Sequence, residues 1–181
     1  MIIPEKEIML QQKKIKLRSA TAQDAVEVCR HRRITSGETQ FLTRYPEECD
    51  EDIPQIEREL ALMANDAASF RVSAFYDNHM IGDLGVTAVG SRIKNHHRAY
   101  LGISIQQSYC NMGLGKRMME TALEYAKKIG FEQVELGVFS DNERAIHLYE
   151  QVGFVRYGAA PKAFKLKDGS YRDEILMVRF L

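Results

Sequence analysis

Two glycines separated by one residue, Gly113 and Gly115, open a helical pattern in the run Cys110-Asn111-Met112-Gly113-Leu114-Gly115-Lys116. Glycines at a helix start let backbone N–H groups approach a ligand closely, and the helix dipole there favours negative charge, so the stretch suits a phosphate or pyrophosphate. Neither common nucleotide motif accounts for it. A P-loop, G-x-x-x-x-G-K-[ST], fails because Cys110 stands where its first glycine should be and Arg117 follows Lys116. A dinucleotide fingerprint, G-x-G-x-x-G, fails because Met118 holds the third glycine position. What remains is an anion cradle of another kind.

Other chemistry-bearing side chains are sparse. Cys29, Cys49 and Cys110 are an odd number without C-x-x-C spacing, which indicates neither a disulfide framework nor a zinc site. His96 and His97 are adjacent and point differently, with no third ligand near, so they read as a solvated loop and no metal is expected.

The elements that must position the glycine run are well marked. Ala99 to Ile105 reads as a strand leading into it. After it, Leu114, Met118, Ala122, Tyr125, Ala126 and Ile129 recur at three- and four-residue steps, Glu124 and Lys128 form an i,i+4 pair, and Gly130 stops the helix. Val134, Leu136 and Val138 alternate with Gln133, Glu135 and Gly137 as the next strand. Ser140 and Glu143 have capping-box spacing, and Ala145, Leu148, Tyr149 and Val152 share one helical face that ends at Gly153-Phe154.

This order, strand, x-x-G-x-G helix, strand, and N-x-x-A-I-x-L-Y-x-x-x-G-F over 142–154, resembles the GCN5-related N-acetyltransferase (GNAT) superfamily, in its bacterial form. The resemblance implies an α/β (α+β) fold with a mixed, mostly antiparallel twisted sheet of about six or seven strands flanked by about four helices. It implies acetyl transfer from acetyl-CoA, as cosubstrate and without a metal, to the primary amine of a small molecule such as an amino acid, polyamine or drug, by direct attack in a ternary complex. A protein lysine or N-terminal acetyltransferase and a non-catalytic CoA-binding module are the alternatives.

In the family the strand before the glycine loop splays from the next one and pairs with the pantetheine arm, which maps to Ile103, Ser104 and Ile105, whose main-chain N–H groups would polarise the thioester carbonyl. The pyrophosphate maps to Cys110, Asn111, Met112, Gly113, Leu114, Gly115 and Lys116. The family usually carries Gln or Arg at the Cys110 position, so side-chain help is small there. Tyr149 maps to the general acid, a phenol of reference pKa ~10 facing a thiol near the ~8.5 of cysteine. Its spacing fits a core tyrosine equally well. Asn142 contacts CoA or shapes the helix start. The base has no clear candidate: 99–109 holds no acid, and Gly137 stands where ribosomal-protein N-terminal acetyltransferases carry a catalytic Glu, which argues against that branch. Water, Glu38, Asp83 and His97 are the options.

Length and composition agree. At 181 residues with 45% apolar content the chain fits a single N-acetyltransferase domain over 1–181. Lys+Arg and Asp+Glu both total 25, so no global basic field argues for nucleic acid or an anionic membrane. The short apolar run at Met1-Ile2-Ile3 is broken by Pro4 and charges, and no run approaches a membrane span, so a cytoplasmic enzyme is expected, with a homodimer allowed.

Upstream, residues 1–13 are expected as a leader or an extra edge strand. Ile15 to Arg18 reads as a strand, Thr21 with Asp24 as a helix cap before Ala25, Val28 and Cys29, and 38–51 as a loop or short helix, which the resemblance to the GNAT superfamily implies would help form the acceptor site. A helix from Ile53 with Pro54 in its first turn, a hairpin of 70–76 and 80–89 turning at Asp77-Asn78-His79, and a last hairpin of 162–167 and 171–180 turning at Asp168-Gly169 complete the reading.

Overall fold

Eight strands form one sheet in the order β1-β2-β3-β4-β5-β6-β8-β7 in the computed structural model, which describes residues 1–49 and 52–181. The strands are β1 (Lys6–Leu10), β2 (Lys13–Arg18), β3 (Ser69–Tyr76), β4 (His79–Ala88), β5 (Arg98–Ile105), β6 (Gln133–Phe139), β7 (Val155–Lys165) and β8 (Tyr171–Phe180). The helices are α1 (Ala25–Glu38), α2 (Ile53–Asn65), α3 (Leu114–Lys128) and α4 (Glu143–Gln151). Every neighbouring strand pair is antiparallel except β5 with β6. A parallel neighbour needs a crossover, and α3 supplies it.

Within 1–13, Lys6–Leu10 form an edge strand, β1, which pairs Ile8 with Ile15 of β2, and Lys13 already belongs to β2. The irregular region keeps one short 3-10 turn, Pro46–Glu48, and its last two residues, Asp50 and Glu51, lie outside the described residues. Asp77 and Asn78 both adopt positive φ in the β3–β4 turn, as a two-residue hairpin requires, and Gly169 does so between β7 and β8.

Alternation along the strands sends one set of side chains to each face. Leu101 of β5, Val134, Leu136 and Val138 of β6, and Met177 of β8 meet Leu114, Met118, Met119 and Ala122 of α3 and Ile146 and Tyr149 of α4. The opposite face carries α1 and α2, where Val28, Ile56 and Leu60 pack on Phe75 and Met80. Tyr100, Ser104, Glu135, Gly137, Phe139 and Glu174 belong to this second face by the same alternation.

The expected Ser140/Glu143 capping box does not form. Ser140 donates its N–H to Asp173 O (2.9 Å), and Asn142 is the N-cap of α4, its Oδ1 accepting from Ala145 N–H at 3.2 Å. The helix therefore begins two residues later than a Ser140 cap would place it, and the Asn142 side-chain oxygen is committed to the helix start.

Candidate active site

The β5–β6 ladder is short. It pairs Arg98 with Gln133, Ala99 with Val134 and Tyr100 with Glu135, and then ends. Beyond that point β5 follows β4 as far as Ile105, while β6 follows β8 as far as Phe139. The two central strands therefore part in the middle of the sheet, at the end nearest the α3 N-terminus.

Hydrogen-bond alternation shows which main-chain groups face the gap. Gln106 donates to Ile81 O (3.0 Å) and Val89 to Arg98 O (2.9 Å), so Gly102 and Ser104 turn their N–H and C=O toward β4. Ile103 and Ile105 turn theirs the other way, into the gap. Ser104 therefore does not offer its N–H to the gap as expected, and its Oγ lies 2.9 Å from Nε2 of the fully buried His31 of α1. Across the gap, Ser140 bonds to β8, which by the same rule leaves Gly137 N–H facing β5, where the Tyr100 hydroxyl accepts it at 3.0 Å.

At the open end lies the glycine loop. Asn111 (φ 59) and Gly113 (φ 84) both adopt left-handed backbone, and a Cβ at Gly113 would meet nothing within 4 Å, so this glycine is there for its dihedral. Gly115 serves packing, because a Cβ there would lie 2.9 Å from Leu148 Cδ2 of α4 and 3.3 Å from Ile105 Cδ1. The α3 N-terminus has no side-chain cap and no acidic residue in its first turn. Its first in-helix donation is Arg117 N–H to Gly113 O (3.2 Å), so the N–H groups of Leu114, Gly115 and Lys116 have no helical partner and converge at the positive end of the dipole.

Cys110 is turned inward. Its N–H goes to Gln107 O (3.1 Å), its Sγ lies 3.6 Å from Gln106 O, and burial pushes its thiol pKa up. Arg144 of α4 reaches close enough for its charge to bear on that thiol. This cation beside the loop was not read from the sequence, although its position, two residues after the Asn142 cap, puts it in the first turn of α4 facing the α3 start. Met112 is half-buried, and Asn111 and Lys116 are exposed.

Tyr149 enters from the α4 side. It is 7% exposed, its ring centroid lies 6.1 Å from that of Phe154, and its hydroxyl makes no hydrogen bond among the described residues. Burial raises its pKa, and the field of Tyr100 adds to that. The second face is walled by Phe139, which stacks on Phe164 of β7 at 3.9 Å and meets Phe41 edge-on at 5.9 Å. Phe41 belongs to the irregular region after α1, and Tyr45 of the same region accepts Lys167 N–H at 3.0 Å. The structure thus brings Ile105 and 111–116 together at the end of the gap that Ile103 also faces, while Tyr149 follows Leu148, the α4 residue that packs against Gly115.

The other base candidates are engaged or distant. Glu38 Oε2 accepts Gln107 N–H (2.7 Å), and Asp83 pairs with Arg71 and accepts from Ser73 Oγ (2.8 Å). His97 precedes β5 at the far end, seven residues before Ser104 and so roughly 23 Å along a strand. Among the described residues no group of three His, Cys, Asp or Glu side chains converges as a metal site requires.

An L-amino acid N-acetyltransferase, AaaT, of Escherichia coli is 31% identical over 107 residues, 59% of this chain and 65% of that protein, so the match spans just under two thirds of the relative. A GNAT-family acetyltransferase structure from Streptococcus pneumoniae superposes with a TM-score of 0.88 at 28% identity, covering 92% of this chain and 99% of that one. The putative acetyltransferase yncA from Salmonella typhimurium, solved with its cofactor acetyl-CoA, shares the fold at a TM-score of 0.80 and 15% identity, over 92% and 94% of the two chains. The family model of the acetyltransferase (GNAT) family matches residues 33–154, from within α1 to just past α4, and the chain belongs to that family.

Proposed function

We propose that this protein is an acetyl-CoA-dependent N-acetyltransferase that acts on the primary amine of a small molecule, by direct attack with donor and acceptor bound together. The observation that carries the reading is the ladder that ends at Tyr100/Glu135 beside an uncapped helix N-terminus. An extended pantetheine arm needs unpaired main-chain groups along a strand, and a pyrophosphate needs converging N–H donors; here both occur at one opening. The N–H groups of Leu114, Gly115 and Lys116 would hold the pyrophosphate, with Lys116 and Arg144 adding charge, while Ile103 and Ile105 would line the arm. Asn111, Met112 and Gly113 shape the loop that brings these donors together.

The chemistry balances with few groups. A neutral amine attacks the thioester carbonyl, the C–N bond forms and the carbonyl oxygen takes up negative charge that N–H donors in the gap stabilise. Collapse re-forms the C=O and breaks the C–S bond, and Tyr149 gives its proton to the departing thiolate. The proton left on the new amide nitrogen is released and restores the phenol through water. Burial of Tyr149 keeps it protonated, as an acid must be.

Acceptor size is argued from the second face. Phe41, Phe139 and Phe164 pack together on that face, and the Tyr45 hydroxyl holds the same region to the β7–β8 turn through Lys167 N–H, so bulky side chains crowd the acceptor side. That favours a small amine over a lysine in a protein, as does the relative that acetylates L-amino acids. A cytoplasmic location suits this donor, and no described helix is long and apolar enough to cross a membrane. The test is CoA release from acetyl-CoA with L-amino acids and spermidine as acceptors, with the acetylated product identified by mass spectrometry. A protein that binds acetyl-CoA but releases no CoA with any amine is the non-catalytic CoA-binding module instead.

A further inference from the structure

Gly137 stands on β6 at the centre of the gap, on the acceptor side. A Cβ built on it would lie 1.9 Å from Glu174 Oε1 and 3.0 Å from the Tyr100 hydroxyl. The space a Gly137 side chain would occupy is therefore filled by a carboxylate from the next strand. The register explains how: Glu174 pairs with Phe139, and Gly137 with Leu176, so Glu174 and Gly137 are diagonal neighbours on one face.

Glu174 is also the acid in this region without a partner. Glu135 is held by Arg98 at 2.5 and 2.7 Å, Asp141 accepts from Arg172 at 2.9 Å, and Asp173 accepts Lys162 N–H at 2.7 Å. Glu174 makes no side-chain hydrogen bond or ion pair among the described residues, and burial alone acts on it, raising its pKa. A half-buried carboxylate left unpaired costs free energy, so its retention at the mouth of a cleft points to a ligand. His31 does not compete for the role, because it is 0% exposed and no amine can reach it.

We propose that Glu174 is the general base, taking a proton from the ammonium form of the acceptor beside the thioester. The assignment rests on the acetyltransferase reading above. The N–H bond of the ammonium breaks, its electron pair stays on nitrogen to attack the carbonyl, and the proton moves to a Glu174 carboxylate oxygen and then to water. The Tyr100 oxygen already accepts Gly137 N–H, which leaves its own proton to orient the carboxylate or the amine. The groups that face Glu174 are Tyr100 from β5, Tyr157 from β7 and, on its own face of β8, Arg172, while Glu135 lies farther along β6, opposite Val178. Arg172 is paired with Asp141, and the two phenols, their pKa values raised, are neutral in the working range.

The experiment compares wild type, Glu174→Gln and the double variant Glu174→Ala/Gly137→Glu. CoA release is followed from pH 5 to 9 with L-amino acids, with spermidine and with water alone as acceptor, and acetyl-CoA affinity is measured by calorimetry. The expected result is a fall of roughly 100- to 10,000-fold in kcat/KM for Glu174→Gln, loss of the acidic limb of its pH profile, and unchanged acetyl-CoA affinity. Partial recovery is expected in the double variant, where the carboxylate returns from β6. Glu174→Gln turning over like wild type with the same pH profile overturns the role while leaving the acetyltransferase reading intact. Wild type releasing no CoA with any acceptor, water included, overturns both.

Discussion

Replacing Tyr149 by phenylalanine removes one oxygen and leaves the ring that packs on Phe154 at 6.1 Å. The side chain is 7% exposed and its hydroxyl has no hydrogen-bond partner among the described residues, so the fold loses no contact and opens no cavity. Stability should stay within about 1 kcal/mol of wild type, because no hydrogen bond is lost. The rate should behave in the opposite way. Without a positioned acid the thiolate, with a conjugate-acid pKa near ~8.5, must leave unprotonated or wait for water, a loss of about 100- to 10,000-fold in kcat, or roughly 3–5 kcal/mol of barrier. Acetyl-CoA affinity should not move, since the phenol lies beyond the pyrophosphate donors. Because burial raises the Tyr149 pKa above its ordinary value, wild type should show no alkaline fall in kcat from this group below about pH 10. The assays are saturating kcat, urea unfolding and calorimetry on the same preparations. A variant with wild-type kcat, or one that loses 2 kcal/mol or more of stability, would show that Tyr149 is a core residue and nothing else.

The two loop glycines should respond differently. Gly113→Ala forces a Cβ into left-handed backbone at φ 84 with no clash, a strain of about 1–2 kcal/mol that should weaken acetyl-CoA binding by roughly 5- to 30-fold in calorimetry. Gly115→Ala instead presses on Leu148 at 2.9 Å, and its cost in urea unfolding should be relieved in the Gly115→Ala/Leu148→Ala double variant, giving non-additivity. Glu135→Gln removes the carboxylate that locks β5 to β6 just before they part and should cost about 1–2 kcal/mol at pH 7, the partly exposed Arg98 being screened. Hydrogen bonds from Arg98 hold the Glu135 carboxyl below the usual carboxylate range, against the push of burial. The stabilisation is therefore complete above the unfolded pKa of ~4.3 and disappears as pH falls through the lower folded value, so the gap between wild type and Glu135→Gln should close only in strong acid. A gap that stays constant to pH 2 would contradict that assignment.

Local patterns carried most of the fold. The α3 stripe, the Asp77-Asn78 and Asp168-Gly169 turns and the Glu124–Lys128 pair, 2.8 Å apart, are all short-range features, and all appear where their spacing places them. The sheet has eight strands where about six or seven were expected, the extra one being the edge strand β1. β7 also begins well before 162, because its first half, Val155–Ala159, is exposed on both sides and shows no apolar alternation to read. The Asn142 cap displaced the Ser140/Glu143 box because Ser140 N–H is claimed by Asp173 on β8, a strand thirty residues away in sequence.

The site was legible where it is local and opaque where it is not. The glycine loop and Tyr149 are visible as motif residues, but the length of the β5–β6 ladder is a tertiary property, and so is the direction in which Ile103 and Ser104 turn their N–H groups. The contrast between Gly113 and Gly115 depends on Leu148, which no loop motif mentions. Glu174 is the clearest case: the strand it sits on reads as ordinary hairpin, and only its register against Gly137 brings its carboxylate into the gap.

The most direct test of the central claim is thermal unfolding with and without millimolar acetyl-CoA, with ATP and NAD as controls. A ligand held at the α3 N-terminus and along the open edge of β5 must stabilise the native state, by about 2.7 kcal/mol at 100 times its Kd. For a chain of this size that is a rise of roughly 5–10 °C in the midpoint. The account predicts such a shift for acetyl-CoA and little for ATP or NAD. No shift, or an equal one with ATP, would mean that the gap and the glycine loop do not form an acetyl-CoA site.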